Sequence, residues 1–151
     1  MPFDDELACG LAVVAYDPRW PKEFGELAVR IAAVLGPVAE HIGSTAVPGL
    51  VSKDCIDIQI RVARLDEELI VPPFAELGFR LRPEPYNLVE TTAGRQWPKL
   101  AFAPPAGERA VNVHVRETSS ATARRNLLFP SRRSSPISPT TGMSSTRRPK
   151  L

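Results

Sequence analysis

The residues best suited to chemistry lie in one segment, His41 to Ile60, which reads HIGSTAVPGLVSKDCIDIQI. In it the step Gly43-Ser44 precedes a stretch that carries Asp57. Glycine lets a backbone approach a bulky anion, and the Ser44 hydroxyl and neighbouring N–H groups can bind phosphate oxygens. A carboxylate on a strand can hold a divalent cation that bridges such phosphates. The spacing alone also fits a surface turn followed by an ordinary half-buried strand, so both interpretations stand.

Three further polar residues are candidates for the same chemistry. His41 and His114 could each be a ligand, a general base, a donor to phosphate or a structural hydrogen-bonding residue. His114 shares a strand face with Asn112 and Arg116 because strand side chains alternate with a period of two. Lys53 could pair with phosphate as a point charge or be a solvated loop lysine.

The clearest element is a strand over Ile56 to Val62, IDIQIRV, in which apolar and polar residues alternate without exception. The alternation places the isoleucines on one face and Asp57, Gln59 and Arg61 on the other. We therefore predict that these three polar residues lie on the open face of a sheet. We also predict that the Gly43-Ser44 turn faces the Asp57 side chain across a cleft.

Other patterns predict the elements that surround this strand. Apolar residues at three- and four-residue spacing predict a helix from near Pro21 to Gly36-Pro37, and a second helix over 65–77 should break at Pro72-Pro73. Ser119 or Ser120 could cap a helix over 119–129. Further strands are predicted at 11–16, 79–82, 86–90, 97–103 and 110–116, and residues 38–42 are predicted as a short strand or a helix-exit segment.

The string over residues 41–50, HIGSTAVPGL, resembles the signature loop of the GrpB (UPF0157) family. The resemblance covers about residues 12–129 and implies an α+β fold, a nucleotidyltransferase-like mixed β-sheet flanked by helices. Shorter similar segments are Tyr16-x-x-x-Trp20, Lys53 with Ile56-Asp57-Ile58, Leu77-Gly78-Phe79 and Asn112-Val113-His114-Val115.

What the resemblance implies is a nucleotide- and divalent-metal-binding domain, with Mg²⁺ as the cation and a nucleoside triphosphate as the partner. The implied reaction is nucleotidyl transfer by in-line attack on the alpha-phosphate. In this interpretation the phosphate-binding residues are Gly43, Ser44, Thr45, Lys53 and Arg116.

In the same interpretation Asp57 and His114 are catalytic, and Asp57 and Gln59 hold the metal. Gln59 stands where the superfamily has its second acid, so the site lacks one full charge for Mg²⁺. This departure favours the alternative, a non-catalytic ligand-sensing or interaction module that retains the fold. If the metal site works, a glutamate at position 59 should strengthen it.

Composition and charge exclude several classes of protein. Hydrophobic residues make up 43% and charged residues 24%, as in an ordinary soluble domain. No apolar run approaches the roughly 18 residues of a membrane span, and the acidic start does not resemble a secretory signal. We therefore expect a cytoplasmic protein without membrane contact. Its two cysteines fit reduced thiols.

The C-terminal segment 130–151 differs from the rest of the chain. It is rich in Ser, Pro and Arg and carries five basic residues and no acid, which leaves the preceding residues net acidic. The acidic body argues against a nucleic-acid-binding module, whereas the basic tail could contact nucleic acid or be a solvated tail. We predict an N-terminal extension over 1–10, a domain over 11–129 and a disordered tail over 130–151. The abrupt change suggests the hypothesis that a frameshift replaced the C-terminal helix of the family, leaving the domain incomplete at that end.

Overall fold

A mixed β-sheet forms the centre of the protein, and helices flank it, as the predicted α+β class requires. The computed structural model describes residues 3–9, 12–36, 39–126 and 132–133. The strands are β1 (Val13–Val14), β2 (Ala39–Ile42), β3 (Ser52–Lys53), β4 (Ile56–Val62), β5 (Arg80–Leu81), β6 (Val89–Thr92), β7 (Arg95–Ala103), β8 (Val111–Glu117) and β9 (Arg132–Arg133). The α-helices are α1 (Trp20–Leu35), α2 (Glu67–Glu76) and α3 (Ala121–Arg125), and 3-10 helices span Asp4–Cys9, Ser44–Ala46 and Pro85–Asn87.

The main sheet has the strand order β5-β7-β8-β4-β2-β9, and β6 pairs with β7 beside this path. The central pair, β4 and β8, is parallel, whereas β2 and β7 run antiparallel to their neighbours β4 and β8. This order places the predicted strand of Asp57 in the middle, between the turn-bearing strand β2 and the histidine-bearing strand β8.

One face of the sheet packs against α1 and α2 and forms the hydrophobic core. The isoleucines of β4 lie there, as the alternation predicts, and meet the apolar stripe of α1. Trp20 begins α1 and is completely buried. Its indole N–H donates to Asp54 Oδ1 at 2.8 Å, and its ring meets Tyr16 edge-to-face with centroids 5.4 Å apart. The core therefore fixes the strand whose other face carries the candidate site.

The predicted break at Pro72-Pro73 is wrong, because α2 continues through both prolines. A prolyl ring removes a backbone donor and disfavours a helix interior, but burial of neighbouring apolar side chains can offset this cost. Ile70 and Phe74, one turn apart, are both buried in the core and anchor the helix on either side of the prolines. Asp66 caps the start by accepting from the Glu68 N–H.

The ends of the predicted domain differ in detail from expectation. The strand predicted over 11–16 is described only as Val13–Val14, is exposed, and pairs with β3 outside the main sheet. Ser120 caps α3 by accepting from the Ala123 N–H, as predicted, and the described helix ends at Arg125.

The predicted disordered tail lies largely outside the described residues. Within it the structure describes only Arg132–Arg133, whose backbone pairs antiparallel with Glu40 and His41 of β2. This pairing is a contact with the body that the sequence does not predict. For residues 130–131 and 134–151, which lie outside the described residues, the expectation of disorder stays a prediction.

None of the helices in the described ranges has both the length and the apolar composition of a membrane span.

Candidate functional site

Polar side chains cover the face of the sheet that points away from α1 and α2, here called the polar face. Strand alternation places them there because the core takes every second residue of each strand. The parallel register of β4 with β8 sets Asp57 beside Asn112 and Gln59 beside His114. The polar face comprises Glu40 of β2, Asp57, Gln59 and Arg61 of β4, Lys99 of β7, and Asn112, His114 and Arg116 of β8.

The Gly43-Ser44 turn lies at the Asp57 side chain, as predicted, but Gly43 is in close contact with the carboxylate and not across a cleft from it. Ile42, the last residue of β2, is the register partner of Asp57, so the turn that follows β2 passes directly over this carboxylate. Gly43 has a φ of +76°, and a Cβ atom at this position would lie 2.9 Å from Asp57 Oδ2. The turn therefore needs glycine both for its left-handed backbone and for the space that the carboxylate occupies.

The two residues after Gly43 behave differently. Ser44 is half-buried, and its hydroxyl lies 2.6 Å from the hydroxyl of Ser52. Thr45 is buried, and its hydroxyl lies 2.9 Å from His41 Nε2. The Thr45 side chain thus points into the loop, away from a ligand on the loop surface, whereas its backbone belongs to the 3-10 helix Ser44–Ala46.

The other two candidate residues near this loop, His41 and Lys53, differ in burial. The imidazole of His41 is buried and stacks on the Phe24 ring with centroids 4.8 Å apart, which supports the structural alternative for this histidine. Lys53 is exposed on β3, next to Ser52, which bonds to Ser44. Of the two residues, Lys53 is therefore the one whose side chain is exposed to solvent.

Asp57 and His114 face each other across β4 and β8. His114 Nε2 lies 3.8 Å from Asp57 Oδ1, and the two side chains are 22% and 33% exposed. Burial lowers the pKa of His114; the nearby Asp57 carboxylate opposes this shift, whereas the charges of Arg116 and Lys99 reinforce it. At neutral pH the site therefore presents a neutral imidazole beside a partly exposed carboxylate.

The expected open position of Gln59 is wrong, because α3 and the residue after it cover this part of the polar face. Gln59 is completely buried. Its amide nitrogen donates to Glu40 Oε1 at 3.1 Å and to the Ala123 carbonyl at 3.3 Å. Its amide oxygen accepts from Arg116 Nη1 and Asn126 Nδ2, both at 2.9 Å. An amide oxygen with two donors in place is not poised to bind a metal ion.

Arg116 is also committed to this buried network. Its Nε donates to Glu90 Oε1 at 2.7 Å, in addition to the bond with Gln59. On the other side, Arg61 donates twice to the Glu40 carboxylate, at 3.0 and 2.9 Å. The predicted contact between Arg116 and phosphate would have to replace the buried ion pair of Arg116 with Glu90. The hydrogen bonds and ion pairs of this network also explain why its polar side chains can be buried.

Sequence reasoning missed Lys99 and Glu40 as members of the polar face, and it missed Asn126 as a residue that covers Gln59. Lys99 had a usable signal, because the core residues Leu100 and Phe102 imply that odd-numbered residues of β7 point the other way. Glu40 had none, since all four residues of β2 are buried. Asn126 follows α3, and its contact with Gln59 depends on how α3 packs.

Within the described ranges, no three His, Cys, Asp or Glu side chains converge as a metal-binding group. Cys55 precedes β4, and its sulfur accepts from Asn112 Nδ2 at 3.5 Å. Burial raises the pKa of the Cys55 thiol to about 12, with the Asp57 charge acting in the same direction. This cysteine is a protonated thiol at neutral pH and not a thiolate ligand.

Replacing Gly43 with alanine tests the close approach of the turn to Asp57. We expect Gly43→Ala to lower the free energy of unfolding by about 1–2 kcal/mol, because alanine disfavours a positive φ and its methyl group displaces the carboxylate. Urea denaturation measures the change. Gly94→Ala is the matched control, since Gly94 also has a φ of +76° but open space where the Cβ would lie. Equal losses in the two variants would contradict a specific contact with Asp57.

Comparisons with known proteins identify a family model and several proteins that are similar to this chain. A family model described as "GrpB protein" matches residues 10–132. A UPF0157 protein of Halalkalibacterium halodurans is 47% identical over 76 residues, covering 48% of this chain and 39% of the relative. A UPF0157 protein of Streptomyces coelicolor is 36% identical over 118 residues, covering 76% of this chain and 56% of the relative.

The structure of the conserved protein GrpB from Enterococcus faecalis has a similar fold. It matches with a TM-score of 0.59 and 24% sequence identity over 74% of this chain and 64% of that chain. The matched region of this chain thus spans between about two fifths and just over half of the length of the two relatives named above.

Proposed function

The chain belongs to the GrpB family, and we propose that it binds a nucleoside triphosphate with a divalent cation at the surface formed by the Gly43-Ser44 turn and the adjacent Asp57 carboxylate. The observation that carries the proposal is the approach of Gly43 to the Asp57 carboxylate, 2.9 Å from where a Cβ would lie. A phosphate-sized anion above the turn would therefore lie next to a carboxylate, an arrangement that a bridging cation stabilises.

The phosphate side of the proposal rests on the turn and on Lys53. Gly43 leaves the backbone uncovered, and the half-buried Ser44 hydroxyl lies on the same turn. Lys53 supplies a solvated positive charge one residue from Ser52, the hydrogen-bonding partner of Ser44. Backbone N–H groups, a hydroxyl and an ammonium are the donors that bind phosphate oxygens in proteins.

The residues present fit a cation that arrives with the nucleotide. Asp57 offers a partly exposed carboxylate, whereas the amide oxygen of Gln59 already accepts two hydrogen bonds. Mg²⁺ usually retains several waters and takes one or two carboxylates together with substrate phosphates. Asp57 would therefore hold Mg²⁺ jointly with phosphate oxygens, and the cation would supply charge neutralisation between the carboxylate and the phosphates.

A non-catalytic ligand-sensing module is the second candidate, and the position of Gln59 favours it. With Gln59 held in a buried network, the proposed site has one acidic residue where nucleotidyl transfer normally uses two. Binding without turnover needs only the turn, Lys53 and Asp57. Nucleotidyl transfer remains the further step, and release of pyrophosphate from a nucleoside triphosphate would distinguish it from sensing.

Removing the Asp57 charge tests the binding proposal. We expect Asp57→Asn to weaken Mg²⁺-dependent binding of a nucleoside triphosphate by at least about tenfold, which corresponds to about 1.4 kcal/mol. Isothermal titration calorimetry with each of the four ribonucleoside triphosphates, with Mg²⁺ and with a chelator, measures the change. Asparagine keeps the shape of the side chain and removes the charge that a hard cation prefers.

Glu76→Gln is the matched control, since Glu76 is an exposed carboxylate on α2, behind the opposite face of the sheet. This variant should bind like the parent protein. Absence of any binding heat from the parent at millimolar nucleotide would contradict the proposal, and so would equal binding by the parent and Asp57→Asn.

A further inference from the structure

Lys99 is a nearly buried lysine on the polar face, and its side chain faces His114. Only 9% of the residue is exposed. In the described part of the chain, no carboxylate lies at ion-pair distance from its ammonium, and Glu90 is bonded by Arg116 instead. The hydrogen-bonding partner of Lys99 Nζ is His114 Nδ1, at 3.4 Å. A buried lysine that faces an imidazole and not a carboxylate needs an explanation.

The donors and acceptors of the two side chains give that explanation. A lysine ammonium has three donors and no acceptor. A neutral imidazole carries its proton on one nitrogen and a lone pair on the other. The nitrogen that faces Lys99 must therefore hold the lone pair, and the proton of His114 must lie on Nε2.

The other side of the same ring faces Asp57. His114 Nε2 is directed toward Asp57 Oδ1, 3.8 Å away, and a carboxylate accepts hydrogen bonds and donates none. Both neighbours of the ring therefore favour the same proton position. β7, β8 and β4 are adjacent strands, and their register places Lys99, His114 and Asp57 on a diagonal across the polar face, because Lys99 pairs with Arg116 and Asp57 with Asn112.

We infer that Lys99 is a positioning residue that holds the proton of His114 on Nε2, so that His114 presents a hydrogen-bond donor, and not a general base, toward Asp57 and the proposed site. The proton position follows from the contacts of a neutral imidazole with the Lys99 ammonium on one side and the Asp57 carboxylate on the other. The part that His114 plays toward a bound nucleotide rests on the proposed function: it would orient Asp57 or donate to a phosphate oxygen. The general-base alternative for His114 is thereby excluded for the neutral ring.

Nitrogen-15 NMR of the imidazole rings tests this inference without any ligand. The chain has two histidines, His41 and His114, and a His114→Gln variant assigns their signals. In the parent, at a pH above the imidazole pKa, we expect His114 Nε2 to be protonated and Nδ1 to show the shielded shift of a hydrogen-bonded lone pair. In Lys99→Met, which removes the donor and keeps an unbranched chain, the Nδ1 signal should move downfield.

Two further variants separate Lys99 from Asp57 as the cause. Lys99→Arg restores a donor and should return the Nδ1 signal toward the parent value. Asp57→Asn removes the carboxylate and should leave the proton on Nε2. The buried ring of His41 reports whether each variant is folded, and the parent spectrum alone remains decisive if Lys99→Met does not fold.

Protonated Nδ1 in the parent would overturn the inference, and so would an unchanged Nδ1 shift in folded Lys99→Met or a proton that moves to Nδ1 in Asp57→Asn. These outcomes are independent of nucleotide binding. Calorimetry that finds no binding would remove the proposed function and leave the Lys99 inference standing, whereas the NMR results can fail while binding persists.

Discussion

Replacing Gln59 with glutamate is expected to destabilise the protein by about 3 kcal/mol and to leave Mg²⁺ binding no stronger. The amide nitrogen of Gln59 donates to Glu40 Oε1 and to the Ala123 carbonyl. A glutamate would turn both contacts into oxygen–oxygen contacts and set two carboxyl groups side by side at a fully buried position. Urea denaturation measures the loss, and calorimetry checks the binding.

The cost should be smaller at acidic pH. Two neighbouring carboxyl groups cannot both ionise without repulsion, so the folded variant would hold a proton that the unfolded chain releases. The pKa of the glutamate in Gln59→Glu would thus be higher in the folded state than in the unfolded chain. The free energy of unfolding would fall as the pH rises above the pKa that this glutamate has in the unfolded chain.

Gln96→Glu is the matched control for this prediction, since Gln96 makes the same chemical change possible at an exposed position of β7. We expect it to alter stability by less than about 0.5 kcal/mol. If Gln59→Glu were as stable as this control and bound Mg²⁺ more tightly than the parent, Gln59 would be a metal-facing residue after all.

Removal of the Trp20 side chain is expected to cost the most stability, about 3–5 kcal/mol for Trp20→Ala. The indole is completely buried, and its N–H donates to Asp54 Oδ1. The same oxygen accepts a hydrogen bond from Arg109 Nη2 at 2.6 Å. The variant would lose core packing and leave one contact of Asp54 unmade. Trp97 remains as a fluorescent probe for the denaturation curve.

Two variants separate the causes of this loss. Trp20→Phe keeps an aromatic ring and should lose less stability than the alanine variant, because part of the packing survives. Val29→Ala, at an exposed position of the same helix, should change stability by less than about 0.5 kcal/mol. A loss below about 1 kcal/mol for Trp20→Ala would contradict its place in the core.

Local patterns predicted the elements better than they predicted which surfaces are covered. The alternation in Ile56 to Val62 gave the strand with its bounds, and it placed Asp57 on the face opposite the core. The same alternation could not show that α3 and Asn126 close over Gln59, because that contact joins residues far apart in the chain. Periodicity assigns a side chain to a face, whereas distant segments decide whether the face meets solvent.

In the candidate site, too, a contact between residues close in the sequence could be predicted, whereas a contact between distant strands could not. The Gly43 approach to Asp57 could be predicted because the turn and the strand follow each other closely in the sequence. Lys99 reaches His114 through the antiparallel pairing of β7 with β8, and the sequence carries no signal for that register. At the prolines of α2 the local rule predicted a helix break that does not occur. The burial of Ile70 and Phe74 stabilises the helix on both sides of the prolines.

The parallel pairing of β4 with β8 has a consequence for how the protein folds. All of α2, β5, β6 and β7 lie between these two strands in the chain, so the pairing closes a long loop. Contacts of large sequence separation form slowly because the entropy of loop closure is lost before the contact stabilises it. Asp57 and His114 therefore come together only when the segment between β4 and β8 has folded. A fragment that ends before β8 would contain the glycine turn and the carboxylate without the histidine side of the site.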